Sequence, residues 1–167
     1  MMKFFKSEAD FQRWVAQLME GQNWHVQPLD GDPKYPGIPD ITAAHESYCN
    51  DFWIELKVDQ RTHSVWDNMH KPRMPRPLTT QQHNWLAERA QRHEKHGQQC
   101  CGVLVAWRTH YADYVTWTPI SLWHDRILQT LATWALLPST DTVAGLESGK
   151  PSFAGLFNKE RKNWEMW

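Results

Sequence analysis

The feature that most constrains the fold of this sequence is a strict alternation over residues 52–58. Every second residue there is apolar, namely Phe52, Ile54, Leu56 and Val58. The residues between them are Trp53, Glu55 and Lys57. Because successive side chains of a β-strand point to opposite faces of the sheet, the pattern predicts a strand with one apolar face. Glu55 and Lys57 would then project together from the other face.

A helical pattern precedes this strand. Residues 7–20 carry apolar side chains at helical spacing, namely Phe11, Trp14, Val15 and Leu18, so we expect an amphipathic helix there. Ser7 is a favourable N-cap with Asp10 three residues later, and Gly21 ends the periodic stretch. Two short strands are expected next, over residues 24–29 and 38–44, with a turn rich in Gly, Pro and Asp between them.

The sequence after residue 58 predicts one more helix between strands. Residues 60–77 are loop-like, and a helix is expected from Thr79 or Thr80 to about His96. Strands over 102–108 and 111–118 should pair as a hairpin, followed by a last helix over 121–137. The order α-β-β-β-α-β-β-α predicts an α/β domain over residues 1–137 with a mixed central sheet flanked by helices. Residues 138–167 would form a basic and aromatic C-terminal tail.

Asp40 lies in the strand before the alternating segment, and an antiparallel connection can bring it beside Glu55. Two converging carboxylates repel each other unless a hard cation lies between them, and such oxygen ligands suit Mg²⁺ or Mn²⁺. Lys57 beside the cation can orient a water molecule or stabilise charge on a phosphate. These groups together suit phosphodiester hydrolysis. Each residue also has a purely structural explanation. Asp40 alone is equally well explained as a strand-end residue, and Glu55 and Lys57 could lie on the solvated face of a half-exposed strand.

These residues resemble the signature of the PD-(D/E)xK nuclease superfamily, most closely its VRR-NUC and Holliday-junction-resolvase-like branch. The matching residues are Pro39-Asp40 and Glu55-Leu56-Lys57. The stretch Gly37-Ile38-Pro39-Asp40-Ile41 is similar to the GxPD form of the VRR-NUC group. The stretch Leu78-Thr79-Thr80-Gln81-Gln82 resembles the Leu-Ser-x-x-Gln segment that the VRR-NUC group tends to have at the start of the next helix. Thr79 stands where Ser is usual. The resemblance covers residues 7–117 and implies a restriction-endonuclease-like αβββαβ core.

The resemblance also implies a set of metal ligands and a catalytic lysine. Asp40, Glu55 and the backbone carbonyl of Leu56 would ligate Mg²⁺ or Mn²⁺. Lys57 would position or activate the attacking water.

Two further residues are implied near the same site. Gln82 would reach it from the start of the second helix as a catalytic residue, although a capping box with Thr79 explains it as well. Many members use a glutamate of the first helix as a metal ligand, and Glu8 is the candidate because it shares a stripe with Phe11 and Val15. A favourable interaction with the helix dipole is the simpler role for Glu8.

A basic loop after the strand is the candidate DNA-binding segment. Between residues 61 and 76, four basic side chains stand against the single acidic Asp67, namely Arg61, Lys71, Arg73 and Arg76. Basic side chains with an interleaved Trp66 suit phosphate contact and base stacking. A solvated loop is the alternative. The tail can pack on the domain, on a second protomer in a homodimer, or on DNA, and packing is favoured.

Composition indicates the cellular compartment of the protein but does not indicate whether it binds nucleic acid. With 18 Lys and Arg against 19 Asp and Glu, the formal net charge is −1, so global charge gives no argument for nucleic acid. The sequence begins without the apolar core of a signal peptide, contains no apolar stretch that would span a membrane, and has three cysteines with no disulfide framework. We therefore expect a cytoplasmic protein.

The function expected from these residues is a Mg²⁺- or Mn²⁺-dependent deoxyribonuclease that acts as an endonuclease. The resolvase-like resemblance favours structure-specific cutting of branched or flap DNA, and the small size suggests a mobile-element or phage enzyme. A sequence-specific restriction-type endonuclease is one alternative. The other is a nucleic-acid-binding or assembly module that keeps the fold without cutting.

Overall fold

The computed structural model describes residues 5–29, 36–46, 51–63, 78–92, 100–109, 113–123 and 132–136. These contain two α-helices, six strands and a short 3-10 helix. Their bounds are α1 Glu8–Glu20, β1 His25–Pro28, β2 Ile41–Ala44, β3 Phe52–His63, α2 Thr80–Arg92, β4 Cys101–Thr109, β5 Asp113–Pro119, the 3-10 helix Ile120–Leu122 and β6 Ala132–Leu136.

The described strands form one sheet in the order β1-β2-β3-β4-β5-β6. Neighbouring strands are antiparallel except β3 and β4, which are parallel. A parallel pair needs a crossover connection, and α2 lies in the chain between these two strands. The fold is therefore α/β with a mixed sheet, and its first six elements follow the expected αβββαβ order.

The two helices lie on opposite faces of the sheet, and β3 and β4 contribute to both hydrophobic cores. On the α1 face, Phe11 packs with Leu56 and Leu104. On the α2 face, Leu86 packs with Val103 and the core extends to partly buried aromatic side chains. Glu55 and Lys57 occupy the β3 positions that point to the α2 face, because they alternate with the apolar residues of the α1 core. The predicted two-faced strand is thus observed.

The start of α1 follows from its capping residue. The Ser7 hydroxyl accepts a hydrogen bond from the Asp10 N–H at 3.2 Å, and Gly21 follows the last helical residue. Such a cap satisfies one of the N–H groups that a helix start leaves without an intrahelical partner. The helix presents Phe11, Val15 and Met19 to the core, which fixes the position of its first turn relative to β3.

Two predicted elements are wrong. The last helix, over 121–137, is replaced by the 3-10 helix Ile120–Leu122 and strand β6, which pairs with β5 from Asp113↔Leu136 to Trp117↔Ala132. Pairing with the edge of β5 overrides a helical pattern that also suits a strand, because Thr133 and Trp134 favour extended backbone.

The predicted loop over 60–77 also starts too early. Strand β3 continues to His63 because its parallel pairing with β4 resumes after an irregularity between Val58 and Thr62. Residues 64–77, the predicted end of the second helix and the tail 138–167 lie outside the described residues. In the described part of the chain, no helix is long and apolar enough to cross a membrane.

Candidate active site

Asp40 and Glu55 are brought together by the pairing of β2 with β3. Ile41 lies opposite Ile54 in the antiparallel register, so one further step places Asp40 opposite Glu55. Side chains of directly opposed residues share a face of the sheet and lie within a few ångströms of each other. The Asp40 carboxylate also accepts a hydrogen bond from the Leu56 N–H at 2.7 Å through Oδ2. This bond holds the carboxylate beside the backbone of β3.

The segment that leads to Asp40 lies against the start of α2. Gly37 has φ +94°, a conformation that disfavours side chains. A Cβ at this position would lie 2.6 Å from the backbone carbonyl carbon and oxygen of Gln81 and 3.0 Å from the backbone nitrogen of Gln82. Glycine is therefore required for both conformation and space, and this close approach brings Gln82 to the same place as Asp40.

Glu55 is the most buried ionisable group of the site, with 1% of its surface exposed. Its Oε1 accepts hydrogen bonds from Lys57 Nζ at 2.6 Å and from Gln82 Nε2. Its Oε2 is buried and has no hydrogen-bond partner. Burial, and then the charge of Asp40, raise the pKa of Glu55 to about 7, although Lys57 opposes this shift. A proton or a cation at Oε2 would relieve the cost of burying this charge.

Lys57 remains an ammonium in this environment. Burial lowers its pKa, but the charge of Glu55 and the hydrogen bond to it, followed by the charges of Glu8 and Asp40, outweigh burial and raise the pKa overall. Its Nζ also lies 3.9 Å from Glu8 Oε1, at the margin of an ion pair with a half-exposed carboxylate. The first helix therefore does bring Glu8 to the site, as a neighbour of the lysine.

The Asp40 carboxyl responds to the same group of charges. Burial raises its pKa, the hydrogen bond from Leu56 and the charge of Lys57 lower it, and Glu8 raises it, with a net upward shift. The site thus contains two carboxyls that are easier to protonate than usual, beside one lysine.

Gln82 makes both of the contacts that its sequence position suggested. The Thr79 N–H donates to Gln82 Oε1 at 3.0 Å, and the Gln82 N–H donates to Thr79 Oγ1 at 3.2 Å. This is the reciprocal pattern of a capping box. The amide nitrogen of Gln82 donates to Glu55 at the same time. The cap therefore orients the Gln82 amide so that its donor group faces the buried carboxylate.

Arg61 lies further along β3 and is half-exposed. Its Nη2 lies 3.2 Å from Oδ2 of Asp59, and its Nε and backbone N–H donate to Asp59 Oδ1. Asp59 is 1% exposed and was not predicted as a site residue, because the predicted strand ends at Val58. Continuing the alternation of residues 55 and 57 by two more residues would have found it. Lys71, Arg73 and Arg76 lie outside the described residues.

The donor groups of the site fit a hard divalent cation. Among the described residues, no group of three or more His, Cys, Asp or Glu side chains is arranged to hold a metal by itself. An ion here would take two carboxylates, Asp40 and Glu55, and complete its coordination with a backbone carbonyl and water, as Mg²⁺ commonly does. The buried Glu55 Oε2 without a partner is the observation that fits this donor set.

Similarity to known proteins is found among solved structures. No protein-family model matches the sequence, and no curated protein matches it. Among solved structures, the chain is similar to Hjc, a Holliday junction resolvase from the archaeal hyperthermophile Archaeoglobus fulgidus. The two share 16% identity with a TM-score of 0.42, and the similarity covers 68% of this chain and 77% of that chain.

Proposed function

We propose that this protein is a Mg²⁺- or Mn²⁺-dependent endonuclease of the PD-(D/E)xK type that hydrolyses DNA phosphodiester bonds. The observation that carries the proposal is the convergence of Asp40, Glu55 and Lys57 at one end of the β2–β3 pair, with a buried Glu55 oxygen that lacks a partner. Two carboxylates around one ammonium leave negative charge that a divalent cation would neutralise.

Each residue has a role that follows from its contacts. Asp40 and Glu55 would hold the ion together with the Leu56 carbonyl, and Gln82 orients Glu55 by donating to its Oε1. Bound Mg²⁺ or Mn²⁺ would lower the pKa of a water molecule and offset charge that develops on the phosphate. The Lys57 ammonium would donate a hydrogen bond to the attacking water or to a phosphate oxygen, which orients the one and stabilises charge on the other.

Glu8 is proposed as a secondary member of the site. Its carboxylate lies 3.9 Å from the lysine nitrogen, which suits a role in holding the ammonium or a metal-bound water. Its charge also raises the pKa of Asp40 and of Glu55, so Glu8 stays a candidate for a further metal ligand.

DNA would approach along the exposed end of β3. Arg61 is half-exposed there, and its guanidinium is held by the buried Asp59. An anchored guanidinium loses less side-chain entropy when it contacts a phosphate than a free one would. Lys71, Arg73 and Arg76 follow in the chain and would add phosphate contacts.

The substrate class we favour is branched or flap DNA. This preference rests on the similarity of the Gly37–Ile41 and Leu78–Gln82 motifs to the VRR-NUC and resolvase-like branch. A homodimer would let two such sites cut two strands.

A cleavage panel tests the proposal. Duplex, flap, fork and four-way DNA are incubated with the protein in Mg²⁺ or Mn²⁺, and in EDTA. We expect cleavage that EDTA abolishes and that Glu55→Gln and Asp40→Asn each reduce by about 10² or more. Glu88→Gln, an exposed acid on α2, makes the same chemical change away from the site and should leave cleavage unchanged.

Three outcomes would decide against parts of the proposal. Binding to these substrates without cleavage in either metal would identify a nucleic-acid-binding module. Equal cleavage by wild type and Glu55→Gln would remove the site from the mechanism. Cleavage of duplex DNA at one sequence would favour the restriction-type alternative over a resolvase-like enzyme.

A further inference from the structure

Asp40 is held by hydrogen-bond donors from three separate segments of the chain. Its carboxylate accepts from the Leu56 N–H of β3 at 2.7 Å. Its backbone carbonyl accepts from the Leu29 N–H, just after β1, at 2.8 Å. The same carbonyl accepts from the side-chain amide of Gln12 in α1, through Nε2, at 2.9 Å. Two of these donors are backbone groups, so Gln12 supplies the only one of the three that a substitution can remove directly.

Gln12 has no part in the capping or in the core of α1. It lies four residues after Glu8, and residues at this spacing share a helix face about 5–6 Å apart. Its hydrogen bond to Asp40 is partly buried and joins residues 28 positions apart in the chain. A side chain in this position connects α1 to the strand end that carries a proposed metal ligand.

We propose that Gln12 is a positioning residue for the Asp40 carboxylate, and hence for cation binding at this site. The inference rests on the proposed function. An aspartate side chain is short, so the place of its carboxylate follows the position of its backbone closely. Mg²⁺ and Mn²⁺ sites require ligand oxygens in near-octahedral geometry, for Mg²⁺ at about 2.0–2.1 Å. Groups that hydrogen-bond to ligand residues commonly change metal affinity about 10- to 100-fold when they are removed.

The test compares Mn²⁺ binding to Gln12→Met and to a matched variant by titration calorimetry, without DNA. Methionine keeps the length of the side chain and removes the donor. Gln17→Met makes the same change at an exposed position of the same helix. We expect the Mn²⁺ dissociation constant to rise about 10-fold for Gln12→Met and to remain unchanged for Gln17→Met.

A second variant separates positioning from charge. Gln12→Glu also removes the amide donor, but it adds a negative charge near the site, which by electrostatics alone would strengthen cation binding. If Gln12 positions Asp40, Gln12→Glu should bind Mn²⁺ more weakly than wild type despite the added charge. This variant also provides the comparison if Gln12→Met does not fold at the temperature of the titration.

The outcomes separate this inference from the proposed function. Unchanged Mn²⁺ affinity in Gln12→Met, or stronger binding in Gln12→Glu, would overturn the positioning role and leave the nuclease proposal standing. Wild-type protein that binds no Mn²⁺ would overturn both. Melting temperatures of the three variants, measured without metal, show whether a loss of affinity accompanies a loss of stability. Equal losses of affinity in Gln12→Met and Gln17→Met would also overturn the role.

Discussion

The affinity of the site for Mn²⁺ should fall about tenfold when the pH is lowered from 8 to 6. The structural reason is Glu55, whose pKa burial and the charge of Asp40 raise to about 7. A carboxyl must lose its proton before it can ligate a metal, so protons compete with the ion in this pH range.

The magnitude follows from the titration of a single group. With a pKa of about 7, the ionised fraction of Glu55 falls from roughly nine-tenths at pH 8 to roughly one-tenth at pH 6, so apparent affinity falls about tenfold. An ordinary glutamate, with a pKa near 4.3, would stay almost fully ionised over this range, and affinity would change by only a few per cent. The raised pKa of Asp40 acts in the same direction.

Calorimetric titration with Mn²⁺ at pH 8, 7 and 6 measures this dependence. The pH 7 and pH 6 titrations are repeated in two buffers that differ in ionisation enthalpy. Because the buffer takes up the protons that binding releases, the difference between the two observed enthalpies gives the number of protons released. We expect about half a proton at pH 7 and nearly one at pH 6. Glu88→Gln should show the same profile as wild type, because Glu88 is an exposed acid of α2.

Equal Mn²⁺ affinity at pH 8 and pH 6 with no proton release would refute this reasoning. That result would mean that Glu55 is already ionised in the free protein or does not ligate the ion. The rate of cleavage cannot substitute for the titration, because pH also changes the ionisation of the attacking water.

Two further predictions concern Lys57 and Gly37. Lys57→Ala should retain DNA binding in a gel-shift assay but cleave more slowly by about 10² or more, and wild-type cleavage would remove its assigned role. Gly37→Ala should lower the free energy of unfolding by about 2–4 kcal/mol in urea titrations, because it combines a positive φ with a backbone clash. Gly21→Ala is the matched control, because Gly21 has φ −61° and a Cβ there would lie 3.3 Å from its nearest neighbour. This control should lower the free energy of unfolding by about 1 kcal/mol or less. Equal losses of stability in Gly37→Ala and Gly21→Ala would contradict the expected role of Gly37.

Local signals predicted the elements that position the site. The alternation in β3 decides which side chains share a face, because a strand has only two faces. Ser7 and Gly21 bound α1, and the Thr79 and Gln82 pair marks the start of α2 through mutual hydrogen bonds. In each case the determining interaction joins residues within a few positions of each other, so it can be recognised in the sequence.

Contacts between distant segments were not predictable in the same way. The Gln12 amide reaches Asp40 only once α1 has packed on the sheet, and the approach of Gly37 to Gln81 depends on where α2 packs against the sheet. Strand β6 was predicted as a helix because the local sequence suits both conformations, and pairing with the edge of β5 decides between them. The burial that raises the pKa of Glu55 is likewise a property of the assembled fold.

The charges of the site bear on the proposed function, because the fold brings them together from distant segments of the chain. Glu8, Asp40 and Glu55 all interact electrostatically with Lys57, and their carboxylates outnumber it by three to one. The Leu56 N–H and the Gln82 amide donate hydrogen bonds but no charge, so full ionisation would leave a net charge of −2 on these four side chains, which include the buried Glu55. Without metal, protonation of Glu55 relieves part of this cost, and stability should decline as pH rises through about 7. A divalent cation relieves it without a proton, and it would then lie beside the ammonium that the proposed reaction uses.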